Sequence, residues 1–313
     1  MNRHTTIILS AAIAVATAAP AAERLLFRSG FEHGTRLVNE SSSYVDIVGA
    51  DRSVQPPSDW EKDFGKGSLG RLRFQYAGGS KSQRQVTIET DPADRTNRVL
   101  RYWMKHVNVN PNASYGGKGR IQANVAGNRN LREFYYRVRV RLTSDWRHLR
   151  DWEQPMGWFI LAEFWNNANW TREGHPFRIH VTIGNDSGSK KGLFFGVGAQ
   201  VEDKGWKSIW HERNTAFTIP LDQWLTAEVY LKEGKGDSGR FYFAITDRDG
   251  RKIVLFDVRK ATCHPDDPNP DGFRQFNPMK LYTHNKNIHR VRDQSGALVI
   301  YWDDFELWTG REP

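Results

Sequence analysis

Glu163, Trp165, Arg178 and His180 are the side chains of this 313-residue chain whose types and spacing first suggest chemistry. They lie in Gly157–Gly184, GWFILAEFWNNANWTREGHPFRIHVTIG, which reads as two β-strands joined by a polar, aromatic-rich turn. Strand side chains alternate with period two, so Leu161, Glu163 and Trp165 are expected on one face of the first strand, with Ile160, Ala162 and Phe164 on the other. In the second, Arg178, His180 and Thr182 alternate with Phe177, Ile179, Val181 and Ile183, a pattern with its apolar set toward a core. A carboxylate, an indole, a guanidinium and an imidazole side by side on a sheet lose solvation unless they are wet or paired, which predicts a cleft that reads a ligand. Trp165 and Trp170 suit stacking on sugar rings, although most of 12 tryptophans belong in a core.

The elements that must hold these groups are strands. Residues 120–125 (RIQANV) set Arg120, Gln122 and Asn124 against Ile121, Ala123 and Val125, and 134–142 (FYYRVRVRL) set Arg137, Arg139 and Arg141 on one face. That arginine stripe suits an anionic chain or a solvated outer sheet equally. Further strands are expected at 24–31, 86–90, 98–107, 193–201, 216–219, 226–232, 240–247, 253–258, 279–282 and 298–308, with turn chemistry over 108–118 and one short helical piece near 144–153. Roughly a dozen strands separated by Gly, Asp and Pro turns, with no helix-period segment between them, imply an all-β antiparallel sandwich and not βαβ units. No linker interrupts residues 23–313, which are expected to form a single domain.

Met1 to His4 is short and basic, Thr5 to Thr17 is apolar, and Ala19-Pro20-Ala21 offers a cleavage site. Residues 1–22 therefore read as a secretory signal peptide and predict a secreted or periplasmic protein. No later segment approaches the ~18 apolar residues of a membrane span. The lone Cys263 excludes an intramolecular disulfide. Lys and Arg outnumber the acids 45 to 36, a formal charge of +9, which favours an anionic partner. For an exported protein without a basic tail or an RNA-binding signature, that partner is an acidic polysaccharide in preference to nucleic acid or a membrane, bound by a monomer.

The order of segments resembles the concanavalin-like jelly rolls of secreted carbohydrate-active proteins. An opening Gly30-Phe31-Glu32, a strand over Tyr136 to Arg141, another over Trp158 to Trp165, then PLDQWLTAEVYLK at 220–232 and a closing Tyr301-Trp302-Asp303-Asp304-Phe305 follow in the same succession. Within that group the chain is most similar to the polysaccharide lyases related to heparin lyase, glucuronan lyase and the jelly-roll alginate lyases. Those carry an Arg-x-Glu strand, a Gln-x-His strand and a late Lys/Tyr strand. Here Arg120-Ile121-Gln122 keeps the Arg with Gln in place of Glu. Glu163-Phe164-Trp165 stands where Gln and His would be, and Lys280-Leu281-Tyr282, followed by His284, matches the third.

The resemblance implies β-elimination of a uronic-acid glycan. Arg120, assisted by Gln122, would neutralise the carboxylate and so acidify the adjacent carbon. Tyr282 would serve as base and acid, supported by Lys280 or His180. Asn124, Glu163, Trp165, Arg178 and His284 would line the substrate path. A glycoside hydrolase is less well supported, because Glu163 has no second carboxylate in its motif. A non-catalytic carbohydrate-binding protein is the main alternative. Related jelly rolls also imply a structural Ca²⁺ where first and last strands meet, held by Glu32, Asp303 and Asp304.

Overall fold

The computed structural model describes residues 22–65, 69–128, 131–166, 174–187, 192–202 and 205–313. Residues 1–21 of the expected signal peptide and Trp170 lie outside the described residues. The first strands are β1 (Arg24–Ser29), β2 (Arg36–Val38), β3 (Tyr44–Val48), β4 (Arg71–Gln75), β5 (Arg84–Asp91) and β6 (Asp94–Met104). Next come β7 (Lys118–Ala126), β8 (Glu133–Leu142), β9 (Phe159–Asn166), β10 (Phe177–Asp186), β11 (Gly192–Glu202) and β12 (Trp206–Asn214). The last are β13 (Leu225–Lys232), β14 (Arg240–Thr246), β15 (Lys252–Val258), β16 (Gln275–Asn277), β17 (Lys280–His284) and β18 (Leu298–Thr309). Three short helices complete the set: α1 (Trp60–Gly65), α2 (Arg147–Arg150) and α3 (Asn285–Arg292).

The strands form two antiparallel sheets, the all-β sandwich that the strand pattern implies and the jelly roll that the resemblance implies. One sheet runs β15-β14-β13-β8-β18-β6-β5, with β1 also along β18. The other runs β12-β11-β10-β9-β16-β7-β4-β3-β2, with β17 between β7 and β9 beside β16. Thus one late segment, 275–284, fills the seam between β7 and β9. Pro278, which has no N–H to offer a ladder, marks the break between its two halves.

Alternation explains which side of each strand is dry. On β8, Phe134, Tyr136, Val138, Val140 and Leu142 are buried in the core, and Ile121, Ala123 and Val125 of β7 meet them from the opposite sheet. Phe134 stacks on Phe276 across the sandwich at 5.0 Å between ring centroids. Burial of a large apolar side chain contributes about 1.5–3 kcal/mol, and here the aromatic ones close the layer between the sheets. Arg137, Arg139 and Arg141 project from the other side of β8, where each finds an acid: Glu306 at 3.0 Å, Asp303 at 3.2 Å and Asp91 at 3.3 Å. The stripe is therefore a paired outer surface of the sheet that lacks the candidate site, and not a track for an anion.

Two local expectations need correction, the short helical piece is found, and one unforeseen strand is added. A β-bulge between Val181 and Thr182 in the β9–β10 ladder turns Leu161 into the core and leaves Ile160 paired with Tyr282. The helical piece near 144–153 is a single 3₁₀ turn, Ser144–Trp146, followed by α2. Residues 216–219 bend without joining a ladder. Finally, β12 is a strand in spite of its mostly polar sequence, because it lies at the sheet edge with little to bury.

Candidate active site

The outward face of the ten-stranded sheet collects residues from strands far apart in sequence. In an antiparallel ladder directly opposed side chains share a face, and Arg120 of β7 opposes Tyr282 of β17. Tyr282 in turn opposes Ile160 of β9. The next row holds Asn277, Glu163, His180, Gly198 and His211, and the row after it Gln275, Trp165, Arg178 and Gln200. Arg120, Gln122, Lys280, Tyr282, Glu163, Arg178 and His180 thus occupy one continuous surface.

Glu163 is the electrostatic centre of that surface. It is buried, and its two oxygens are taken by different cations: Lys280 Nζ donates to one, and Arg178 Nη1 donates to the other at 3.0 Å. Burial alone would push this carboxyl up, but Lys280 and then Arg178 overcome it and hold it well below the usual carboxylate range. Burial draws Lys280 down from the ordinary lysine value, with Glu163 opposing the fall. Arg178 also donates to Gln200 from Nε at 2.9 Å and lies 3.9 Å from the centre of the Trp206 ring. Lys280 and Arg178 are therefore engaged within the protein.

Arg120 is differently placed. Its Nε is buried without a hydrogen-bond partner, and its guanidinium carbon lies 5.8 Å from the Tyr282 ring centre. Burial pulls the guanidinium down from its ordinary value against Tyr282 and Glu163, yet arginine remains a cation at any ordinary pH. The partner of the Tyr282 hydroxyl is a residue that sequence reasoning missed: Lys118 Nζ donates to it at 3.1 Å. An ammonium can only donate, so the phenol oxygen accepts from Lys118 and its own proton is directed elsewhere. Lys118 closes the turn expected over 108–118 and opens β7; the alternation of Arg120, Gln122 and Asn124, extended one step upstream, reaches it.

The other expected residues fall into distinct settings. Gln122 Nε2 donates to Gln75 at 3.2 Å, and Asn124 Oδ1 accepts from Gln275 at 2.8 Å and Asn277 at 2.9 Å, so amides line one end of the face. At the opposite end His284 caps α3, its Nδ1 accepting from the Lys286 N–H at 3.1 Å. Trp165 is buried edge-on against Trp206, ring centroids 5.7 Å apart, which leaves its faces closed to a sugar. The exposed indole near the site is Trp158, 4.7 Å from the Tyr282 ring.

His180 is buried and opposes Glu163, with its Nδ1 lacking a hydrogen-bond partner. Burial, and then the Arg178 charge, push it down to about 3, so it is neutral near pH 7. The unfolded chain takes up a proton near pH ~6.5 that the folded one refuses. His180 thus makes stability fall as pH drops from there toward 3, at about 1 kcal/mol per unit, and Glu163 adds to the fall in more acid solution. His180→Gln is expected to flatten the dependence of the urea midpoint on pH between neutrality and moderate acid; an unchanged slope would refute this.

Glu32, Asp303 and Asp304 converge around Gly30, away from these rows. Asp303 is pushed up to about 7 by burial and by Asp304, against the pull of Asn97 and Arg139. The cation that Asp303 and Asp304 share is the Arg139 guanidinium, whose Nη1 lies 3.2 and 3.4 Å from their oxygens. Glu32 accepts from the Arg98 N–H at 3.0 Å. Among the described residues no group of three or more His, Cys, Asp or Glu is arranged to hold a metal ion, and a calcium ion would compete with Arg139 for these oxygens. Among the described residues no helix is long and apolar enough to cross a membrane.

No family model and no curated protein matches the sequence. Several solved structures are similar to it at low identity. The endo-β-1,4-glucuronan lyase of the fungus Trichoderma reesei has a TM-score of 0.47 at 16% identity over 74% of this chain and 93% of that one. The alginate lyase Aly36B has a TM-score of 0.46 at 15% identity over 88% and 96%. The glycoside hydrolase family 131 catalytic domain of Coprinopsis cinerea has a TM-score of 0.40 at 10% identity over 81% and 88%. The chain is thus similar both to lyases and to a hydrolase, and a likeness at this distance does not choose between their chemistries.

Proposed function

We propose that the protein cleaves a uronic-acid-containing polysaccharide by β-elimination. One observation carries the proposal. Arg120, with an unpartnered Nε, stands directly across the ladder from Tyr282, whose hydroxyl accepts from Lys118. In this scheme Arg120 grips the uronate carboxylate and disperses the charge that builds on it, the role for which a planar guanidinium is suited. Tyr282, reacting as a phenolate that has given its own proton to solvent, takes the proton from the carbon beside the carboxylate. The electron pair left behind forms the new carbon–carbon double bond as the bond to the glycosidic oxygen breaks, and that oxygen takes its proton from Tyr282. Lys118 compensates the negative charge that the phenol oxygen carries before it takes the proton and again after it returns it; between the two transfers the charge lies on the substrate carboxylate held by Arg120. Lys280, whose ammonium donates to Glu163, acts by holding the strand in place and not on the substrate.

The state of Glu163 argues against hydrolysis. A general acid must carry a proton and a nucleophile must be free, whereas Glu163 is held ionised with both oxygens bonded. A second proposal, a carbohydrate-binding protein without turnover, is favoured by Glu163 and Trp165 standing where the lyases it resembles carry Gln and His. Incubation with a panel of uronic-acid polymers separates the two. Elimination creates an unsaturated sugar that absorbs in the ultraviolet, whereas a polymer that is retained but never gives that absorbance supports the second. Arg120→Ala is expected to weaken polymer retention and to lower kcat/KM by about 10²-fold; normal kinetics in this variant would remove the carboxylate role.

A further inference from the structure

Four large hydrophobic side chains are strongly exposed among the described residues: Tyr115, Trp158, Ile209 and Val254. Two of them bracket the proposed reaction centre. Trp158 is 40% exposed and its ring lies 4.7 Å from Tyr282 on one side. Tyr115 is 47% exposed and faces the Lys118 ammonium at 5.6 Å, while that ammonium bonds the Tyr282 hydroxyl. Neither ring is needed for the core.

The backbone under Trp158 is held more tightly than an exposed strand end requires. Its carbonyl accepts from the His284 N–H and from Thr283 Oγ1, both at 3.1 Å. Buried Asn287 clamps the preceding residue from both sides, accepting from the Gly157 N–H and donating to the Gly157 carbonyl, each at 2.8 Å. Gly157 permits the fit: a Cβ there would sit 2.7 Å from His284 Cβ. His284 then stands perpendicular to the indole at 6.1 Å. The result is a rigid, wet aromatic surface continuous with Tyr282.

We propose that Trp158, with Tyr115 flanking the centre by way of Lys118, is a sugar-stacking subsite that receives the pyranose next to the uronate held by Arg120. Asn287 is its positioning residue. The proposal rests on the glycan reading of the Arg120–Tyr282 face. An indole offers a broad apolar surface whose electron-rich face attracts the slightly positive C–H bonds of a pyranose. A rigid aromatic anchor also gives up little conformational freedom on binding. The stacked sugar needs no negative charge of its own, because neither the Trp158 nor the Tyr115 ring offers a cation to pair with one. The glycan class so favoured carries its uronate beside a sugar with an unobstructed C–H face.

The test is affinity electrophoresis of the full chain carrying Tyr282→Phe, in gels containing alginate, glucuronan or an alternating uronate–hexosamine glycan, so that retention is read without turnover. Adding Trp158→Ala is expected to weaken retention about tenfold, as loss of a tryptophan anchor does. Trp158→Phe should restore part of it, and Val254→Ala, on the other sheet, should change nothing. In the otherwise native enzyme Trp158→Ala should raise KM more than it lowers kcat. Retention unaltered by Trp158→Ala overturns the subsite, as does failure of the parent to bind any of the three glycans, or an effect confined to self-association in a sizing column. Trp158-dependent retention in a protein that never produces an unsaturated sugar leaves the subsite standing and removes the lyase assignment alone.

Discussion

Tyr282→Phe should reduce elimination by about 10³-fold or more while leaving glycan retention within about twofold. General acid–base groups contribute 10²–10⁴-fold in rate, and here a single hydroxyl is assigned both the proton abstraction and its return. The substitution removes one oxygen from a buried ring that packs against Trp158. It also releases Lys118, whose ammonium loses its hydrogen-bonding oxygen and gains water. The fold should therefore survive, and circular dichroism and thermal melting should verify that it does. The measurement is initial rate by ultraviolet absorbance on the best polymer, with affinity electrophoresis in parallel. A variant with an undiminished rate would assign the proton transfers to another group. Loss of rate and retention together would assign Tyr282 to binding.

The second large effect concerns stability. Glu163→Gln keeps the shape of the side chain but leaves Lys280 buried without its counter-ion, and Arg178 without one of its acceptors. Removing one partner of a buried pair typically destabilises by about 3–5 kcal/mol, a loss readable as a shift of the urea midpoint. The reverse truncation, Lys280→Met, should do less harm, because Glu163 keeps the Arg178 guanidinium at 3.0 Å. Combining Glu163→Gln with Lys280→Met should recover much of the loss, since an apolar side chain then replaces the stranded ammonium. A Glu163→Gln protein within about 1 kcal/mol of the parent would show that water, not the carboxylate, solvates Lys280.

Much of this architecture was legible in the alternation of side chains. Strands such as β8, β10, β13 and β18 announce themselves because one face must be dry, whereas bringing Arg120 and Tyr282 together was implied by the resemblance to the lyases and not by the alternation. Three kinds of feature escaped. Lys118 was hidden by the Pro, Asn and Gly residues before it, which mark a turn but do not show where the following strand begins. The inward turn of Leu161 depends on a bulge, and one extra residue shifts the face of every residue beyond it without any signature in composition. Trp165, expected to stack on a sugar, is buried instead, because burial is decided by what lies across the sheet. Trp206 covers Trp165, and its strand, β12, carries too little apolar sequence to be recognised. Helix α3 is likewise only eight residues long and is capped by a histidine instead of the usual Ser, Thr, Asp or Asn.

The insertion of 275–284 between β7 and β9 has a consequence for how the molecule comes into being. Before that segment arrives, both neighbours present bare backbone along their lengths, the condition that invites one chain to pair with another and aggregate. The piece that heals the gap lies more than a hundred residues downstream of both, and such distant partnerships are slow to form. A C-terminally shortened protein should accordingly be insoluble rather than merely inert. Segment 275–284 acts as a latch, and the hydroxyl proposed for catalysis rides on it.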